Sequence, residues 1–200
     1  MKHDDKSIKQ LWAQLEPVGY GDTLEYEPWP SYWERIRKLI PNFPPEACKQ
    51  WLWQHYSCTT EYDWLNLRTL DFRREEWPTQ LIFEKVREWP DTDGGLLTIW
   101  SNYIRTSPDA KSNQLANYMT YNGTWPLPPL IIENPKGITR PDGYPLGEPF
   151  HLMEGHHRLG FLHGLAKSQT VLQEKHSLFI ITVQEDGVFD HHPLNTNYDD

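Results

Sequence analysis

The sequence predicts an α+β fold, with a helical, tryptophan-rich N-terminal half packed on a small α/β unit. Three observations carry this. Through the first hundred positions, apolar residues recur at helical spacing behind capping residues. From Gly123 the texture changes to short apolar strands alternating with Pro/Gly loops. Around Glu154-Gly155-His156-His157-Arg158, an extended apolar run (Phe150 to Met153) meets a glycine turn and then a helix-like stretch, Leu159 to Ala166.

Taken in order, residues 7–16 form a helix: Ser7 and Gln10 have capping-box spacing, and Leu11, Trp12 and Leu15 share one face. Pro17, Gly19, Gly21, Pro28 and Pro30 make residues 17–30 a loop. A second helix is expected from Ser31, with Glu34 in the box position, Trp33, Ile36 and Ile40 at helical spacing, and Pro41 as its stop. Pro44-Pro45-Glu46 opens a third, running to about Tyr56. Further helical pieces are expected over residues 60–90, punctuated by Pro78 and Pro90, with a turn-rich break from Asp91 to Gly95. Leu96 to Arg105 fits helix or strand, since its periodicity does not decide.

Ser107-Pro108-Asp109 starts a helix, because Ser caps and Pro suits the first turn. Leu115 to Met119 is helical, and Trp125 to Ile132 leads into a strand. Residues 134–149 hold five prolines or glycines by Pro145 alone and form a long loop, of the kind that often covers a site. Ser177 to Val183 closes the unit as a strand, and the segment after Pro193 is expected to fray. The expected organisation is a helical extension over 1–106, an α/β unit over 107–192 and a tail over 193–200.

Composition narrows the function classes. A hydrophobic content of 38 % supports a packed core, and nine of the ten tryptophans precede residue 101, where they are expected to fill the helical half. The net charge of −9 lacks the concentrated Lys/Arg that a nucleic-acid backbone demands. It argues against a nuclease and suits a basic protein partner. No apolar run is long enough to cross a bilayer, and the first residues carry no secretory core. Cys48 and Cys58 make neither a disulfide framework nor a zinc quartet. A reduced, cytoplasmic setting is therefore expected.

The strand-turn-helix order at Glu154-Gly155-His156-His157-Arg158 sets two imidazoles, a guanidinium and backbone N–H groups at a helix N-terminus. Such a terminus carries partial positive charge and favours a phosphate. Arg158 could grip that phosphate through a bidentate fork, or pair with Glu154. Glu154, at the strand end, could act as a base or hold a metal ion, with Glu133 and Glu148 in reserve. His156 and His157 could contact phosphate or move protons, or simply face solvent. His151 and His163 are expected as ordinary strand and helix residues, and His191-His192 as a surface turn. The histidine spacing does not match a zinc pattern such as His-Glu-x-x-His, whereas Mg²⁺ needs only one or two carboxylates. Arg140 is a loop arginine that could reach an anion.

Over roughly residues 110–185 these elements resemble the ParB/sulfiredoxin superfamily. The helix Leu115 to Met119, the Pro-apolar strand through Ile132, the acidic-Gly-x-x-Arg turn within Phe150 to Arg158 and the closing strand Ser177 to Val183 carry the resemblance. Members include CTP-hydrolysing partition proteins, sulfiredoxins that use ATP, free-serine kinases, some ADP-ribosylating toxins and proteins labelled ParB-like nucleases. The resemblance implies that Gly155 and Arg158 bind phosphate, with His156 and His157 beside them. It implies ATP or another nucleotide with Mg²⁺ as cofactor. Glu154, His156 and His157 would then serve phosphoryl transfer to a small-molecule or protein acceptor, or nucleotide hydrolysis. The sequence also departs from the pattern. Glu154 replaces the more frequent aspartate, and His156 stands where sulfiredoxins place a reactive cysteine. Nothing resembling the partition proteins' helix-turn-helix follows Val183. The kinase-like and toxin-like branches stay open. So does a non-catalytic, immunity-type or regulatory module of a bacterial or phage system. A nuclease is the third reading, and it would need a basic groove that the composition does not supply.

Overall fold

The computed structural model describes residues 5–20, 25–89 and 95–184. Helices combine with a five-stranded mixed sheet, so the fold is α+β. The described residues cluster into two compact units. One is drawn from Met1–Phe72, Thr139–Tyr144 and Thr182–Asp200, the other from Arg73–Ile138 and Pro145–Ile181. Residues 73–106, assigned to the helical extension on sequence grounds, fall within the second unit.

The first unit is built on aromatic packing. Helix α1 (Asp5–Leu15) buries Leu11, Trp12 and Leu15. Trp51 lies under it, edge-on to Trp12 at 6.0 Å and to Tyr62 at 5.8 Å. The polar tips of the buried rings are satisfied by backbone: Trp12 Nε1 donates to Leu65 O and Tyr32 OH to Leu15 O. Trp29, Trp33 and Trp53 are only half-buried, so the tryptophans do not all enter the core.

Three local expectations need correction here. Helix α2 (Trp29–Ile36) begins before Ser31, with Pro30 in its first turn, where a missing N–H costs nothing. Helix α3 (Pro45–Cys48) does not run to Tyr56; it widens into a π-helical turn over Lys49–Trp53. Gln50, Trp51 and Leu52 are all buried, and three consecutive positions of a regular helix would sweep about 200°. The stretch 60–90 is not simply helical. After 3₁₀ turns at Tyr56–Tyr62 and Leu67–Thr69 come strand β1 (Leu70–Pro78), helix α4 (Thr79–Lys85) and strand β2 (Val86–Arg87).

In the second unit, helix α5 (Leu96–Thr106) resolves the ambiguous segment. Ser107 caps only a 3₁₀ turn, Pro108–Lys111. Helix α6 (Gln114–Asn122) follows, with Asn113 Oδ1 accepting from Ala116 N at 2.9 Å and Gly123 ending it in the left-handed region. Strands β3 (Leu130–Glu133), β4 (Phe150–Glu154) and β5 (Lys175–Val183) complete the sheet in the order β1-β5-β3-β4-β2. β3 runs antiparallel to β4, with Leu130 opposite Glu154, and parallel to β5, with Leu130 opposite Phe179. Helix α7 (His156–Lys167) carries the chain from β4 past β3 to β5. Its buried Leu159, Phe161, Leu162 and Leu165 join Ile131, Leu152, Leu178 and Ile180 of the strands in one core cluster.

Candidate phosphate-binding turn

Gly155 separates β4 from α7 at φ 113°, a left-handed conformation that L side chains rarely adopt. Space matters as much as torsion there. A Cβ on Gly155 would lie 2.6 Å from Pro129 Cβ and 3.3 Å from the Arg158 guanidinium nitrogens. The turn is therefore closed on its inner side by the chain entering β3 and by its own arginine. On the helix side, Gly155 O accepts from Leu159 N at 2.9 Å, but no side chain caps α7. An α-helix leaves its first N–H groups without intrahelical acceptors, and these converge just beyond Gly155.

Arg158 is buried, with 7 % of its surface exposed. Its Nη2 donates to Glu154 Oε1 at 2.9 Å and its Nη1 to Leu127 O at 3.0 Å. Of the two roles open to Arg158 on sequence grounds, the ion pair is the one formed. Burial is the main influence on the guanidinium, pulling its pKa down, and Glu154 opposes it. The arginine thus ties the strand end, the helix start and the approach to β3 into one clasp.

His156 is half-buried, and its Nε2 is sealed from solvent with no hydrogen-bond partner among the described residues. Burial depresses its pKa, Glu154 pulls the other way, and His157 and Arg158 add to the depression. A neutral imidazole follows at neutral pH. His157 is exposed and lies against the Trp100 ring, centroids 3.8 Å apart. Sequence reasoning grouped the two histidines. The structure separates them, one turned inward and one outward onto α5.

His151 takes the strand position expected of it, and the reserve groups make other contacts. His151 is fully buried in β4, and its Nδ1 accepts from Gly147 N at 3.1 Å. Burial holds its pKa down at about 3, so it serves the fold as an unprotonated acceptor. Glu133 pairs with Arg73 at 2.9 Å, and Arg140 with Asp142 at 2.8 Å. Glu148 lies beside Gly137 in the long loop. The base of that loop is fixed by buried Asn134, whose Nδ2 donates to Leu146 O and Gly147 O while its Oδ1 accepts from Ile138 N. His191, His192 and the tail 193–200 lie outside the described residues.

Of the Glu154 carboxylate, expected as a base or Mg²⁺ ligand, Oε1 is engaged by the Arg158 guanidinium. Among the described residues there is no group of three or more His, Cys, Asp or Glu able to hold a metal. Sequence reasoning also missed the partners of the clasp. Leu127 and Pro129 carry no chemical signal, since they act through a backbone carbonyl and a ring edge. His176 was missed too. It is buried, with Nε2 2.8 Å from Thr79 Oγ1 and Nδ1 2.8 Å from Thr124 Oγ1. No helix among the described residues is long and apolar enough to cross a membrane. No family model, curated protein or solved structure matches this chain.

Proposed function

We propose that this protein binds the phosphate of a nucleotide at the N-terminus of α7. The observation that carries this reading is the pairing of an uncapped helix terminus, set on a left-handed glycine, with the buried, partnerless Nε2 of His156. A buried polar atom without a partner costs roughly 1–3 kcal/mol, and a ligand that supplies the partner recovers it. Backbone N–H groups and the helix dipole favour an anion at the same place. In this reading Arg158 is a positioning residue. It holds Gly155 and the first turn of α7 in place through Glu154 and Leu127 O, and does not grip the phosphate itself.

Two or three charge-assisted bonds from backbone donors contribute about 3–6 kcal/mol, which corresponds to dissociation constants from several millimolar down to tens of micromolar. Phosphoryl transfer or nucleotide hydrolysis would ask more of the site, since Glu154 Oε1 is already engaged by Arg158. The Glu154–Arg158 clasp therefore favours binding without turnover, as in a regulatory or immunity-type module. Calorimetry with ATP, ADP, CTP and NAD, with and without Mg²⁺, tests the reading. The expected result is binding of one or more nucleotides that survives removal of Mg²⁺, with no binding of the matching nucleoside. No heat of binding at millimolar nucleotide would reject it.

A further inference from the structure

A cavity of about 290 Å³ lies among α4, α5, α7 and the end of β2, and Gly155, His156 and Arg158 do not line it. Its volume is at the lower end of the range for small-ligand sites. Phe83, Val86 and Leu97 give it apolar walls. Two polar side chains, Ser101 and His163, stand in the wall. Ser101 is 1 % exposed, and its Oγ has no hydrogen-bond partner among the described residues. His163 stacks flat on Phe83, with centroids 3.9 Å apart and planes 19° from parallel. Burial, then Lys167 and Arg87, lower its pKa to about 4. It is therefore a neutral imidazole at neutral pH, able to donate from one nitrogen and accept at the other.

The charges around the cavity are unequal. Arg87 and Lys167 are cationic and Glu88 is anionic. Glu88 is already engaged, with its carboxylate accepting from Leu97 N at 3.2 Å at the start of α5. Arg87 donates from Nη1 and Nη2 to the carbonyls of Phe83, Val86 and Glu84. Lys167, on the last turn of α7, is exposed. The net field favours an anion of one charge, and the apolar walls favour a hydrocarbon body on it.

We propose that this cavity binds a small organic monocarboxylate. Its apolar body lies against Phe83, Val86 and Leu97, and its carboxylate accepts from Ser101 Oγ and from Lys167. The inference does not depend on nucleotide binding at the Gly155 turn.

The test uses the full chain with benzoate and isobutyrate as probes, benzamide and isobutyramide as neutral counterparts, and chloride to match ionic strength. Melting temperature and the ring resonances of His163 and Phe83 are followed. The expected result is a saturable rise in melting temperature with a carboxylate, shifts of both rings, and no such response to the amides. Ser101→Ala should leave the unliganded protein as stable or more stable, because it removes an unsatisfied hydroxyl, yet weaken carboxylate binding about tenfold. Lys167→Gln should weaken it about tenfold too. Amides binding as tightly as carboxylates, an unchanged affinity in Ser101→Ala, shifts confined to the start of α7, or no saturable response would each overturn the proposal.

Discussion

Arg158 Nη2 stands 2.9 Å from Glu154 Oε1, with only 8 % and 20 % of the two side chains exposed. The pair spans one helical turn across Gly155 and is extended by the Arg158 bond to Leu127 O. A buried pair of this kind is costly to break by halves, because the survivor keeps its charge in a poor solvent. Arg158→Ala is expected to lower stability by about 3 kcal/mol, and Glu154→Gln by about 2 kcal/mol. Arg158→Met, which fills the space, still strands the carboxylate and should fall below wild type. Urea denaturation of the three variants measures this. Losses under about 1 kcal/mol for both Arg158→Ala and Glu154→Gln would show that the clasp does not hold the turn.

Gly155→Ala tests the turn from the backbone side. The new Cβ meets Pro129 at 2.6 Å in a conformation unfavourable to L residues, so a loss of about 2–3 kcal/mol is expected, together with loss of nucleotide binding. Gly164→Ala is a useful contrast. In an exposed helix the change would stabilise by about 1 kcal/mol. On α7 it drives a methyl into Ile104 and to 2.6 Å from Ser101 O on the facing α5, so the sign should reverse. Melting curves of the two variants decide it, and a stabilised Gly164→Ala would mean that α5 and α7 can separate at little cost.

The strand-turn-helix at residues 150–167 was legible because three signals coincide there: an apolar extended run, a glycine and a helix-like stretch. The α+β class followed from the change in texture at Gly123. Leu70–Pro78 was misread because its strand character is tertiary. The run Arg73-Arg74-Glu75-Glu76 has no β-propensity, and it becomes a strand at the sheet edge beside β5, where Arg74 Nε reaches Ser177 Oγ at 2.7 Å. The site was legible as a set of residues but not as roles. Spacing puts Glu154 and Arg158 one turn apart, yet burial decides whether the arginine faces a ligand or its neighbour. The opposite fates of His156 and His157 depend on Trp100, fifty-seven positions from His157 in the chain. Ser101 and His176 gave no sequence signal at all.

Acid should unfold the protein through its buried and half-buried histidines. Burial lowers the pKa of His151 to about 3 and those of His163 and His176 to about 4, against 6.5 for an ordinary histidine. The folded state therefore binds fewer protons than the unfolded state at mildly acidic pH. Their contribution is fully present above about pH 6.5 and is lost progressively as pH falls toward 4, with each histidine adding up to about 1.4 kcal/mol per pH unit. His176→Gln keeps hydrogen bonding with Thr79 or Thr124 but does not titrate. Its stability is expected to be lower than wild type at pH 7 and to fall less steeply between pH 6.5 and 4. Parallel stability–pH curves for the two proteins would contradict this role for His176.

The most direct measurement is an amide-resolved NMR titration of the full chain with ADP, without added metal. Binding at the N-terminus of α7 predicts saturable shifts at the backbone amides of His156, His157 and Arg158 and at the His156 ring, with adenosine leaving them unmoved. Amides at this turn that stay in place at millimolar ADP, or shifts centred on another part of the chain, would contradict it.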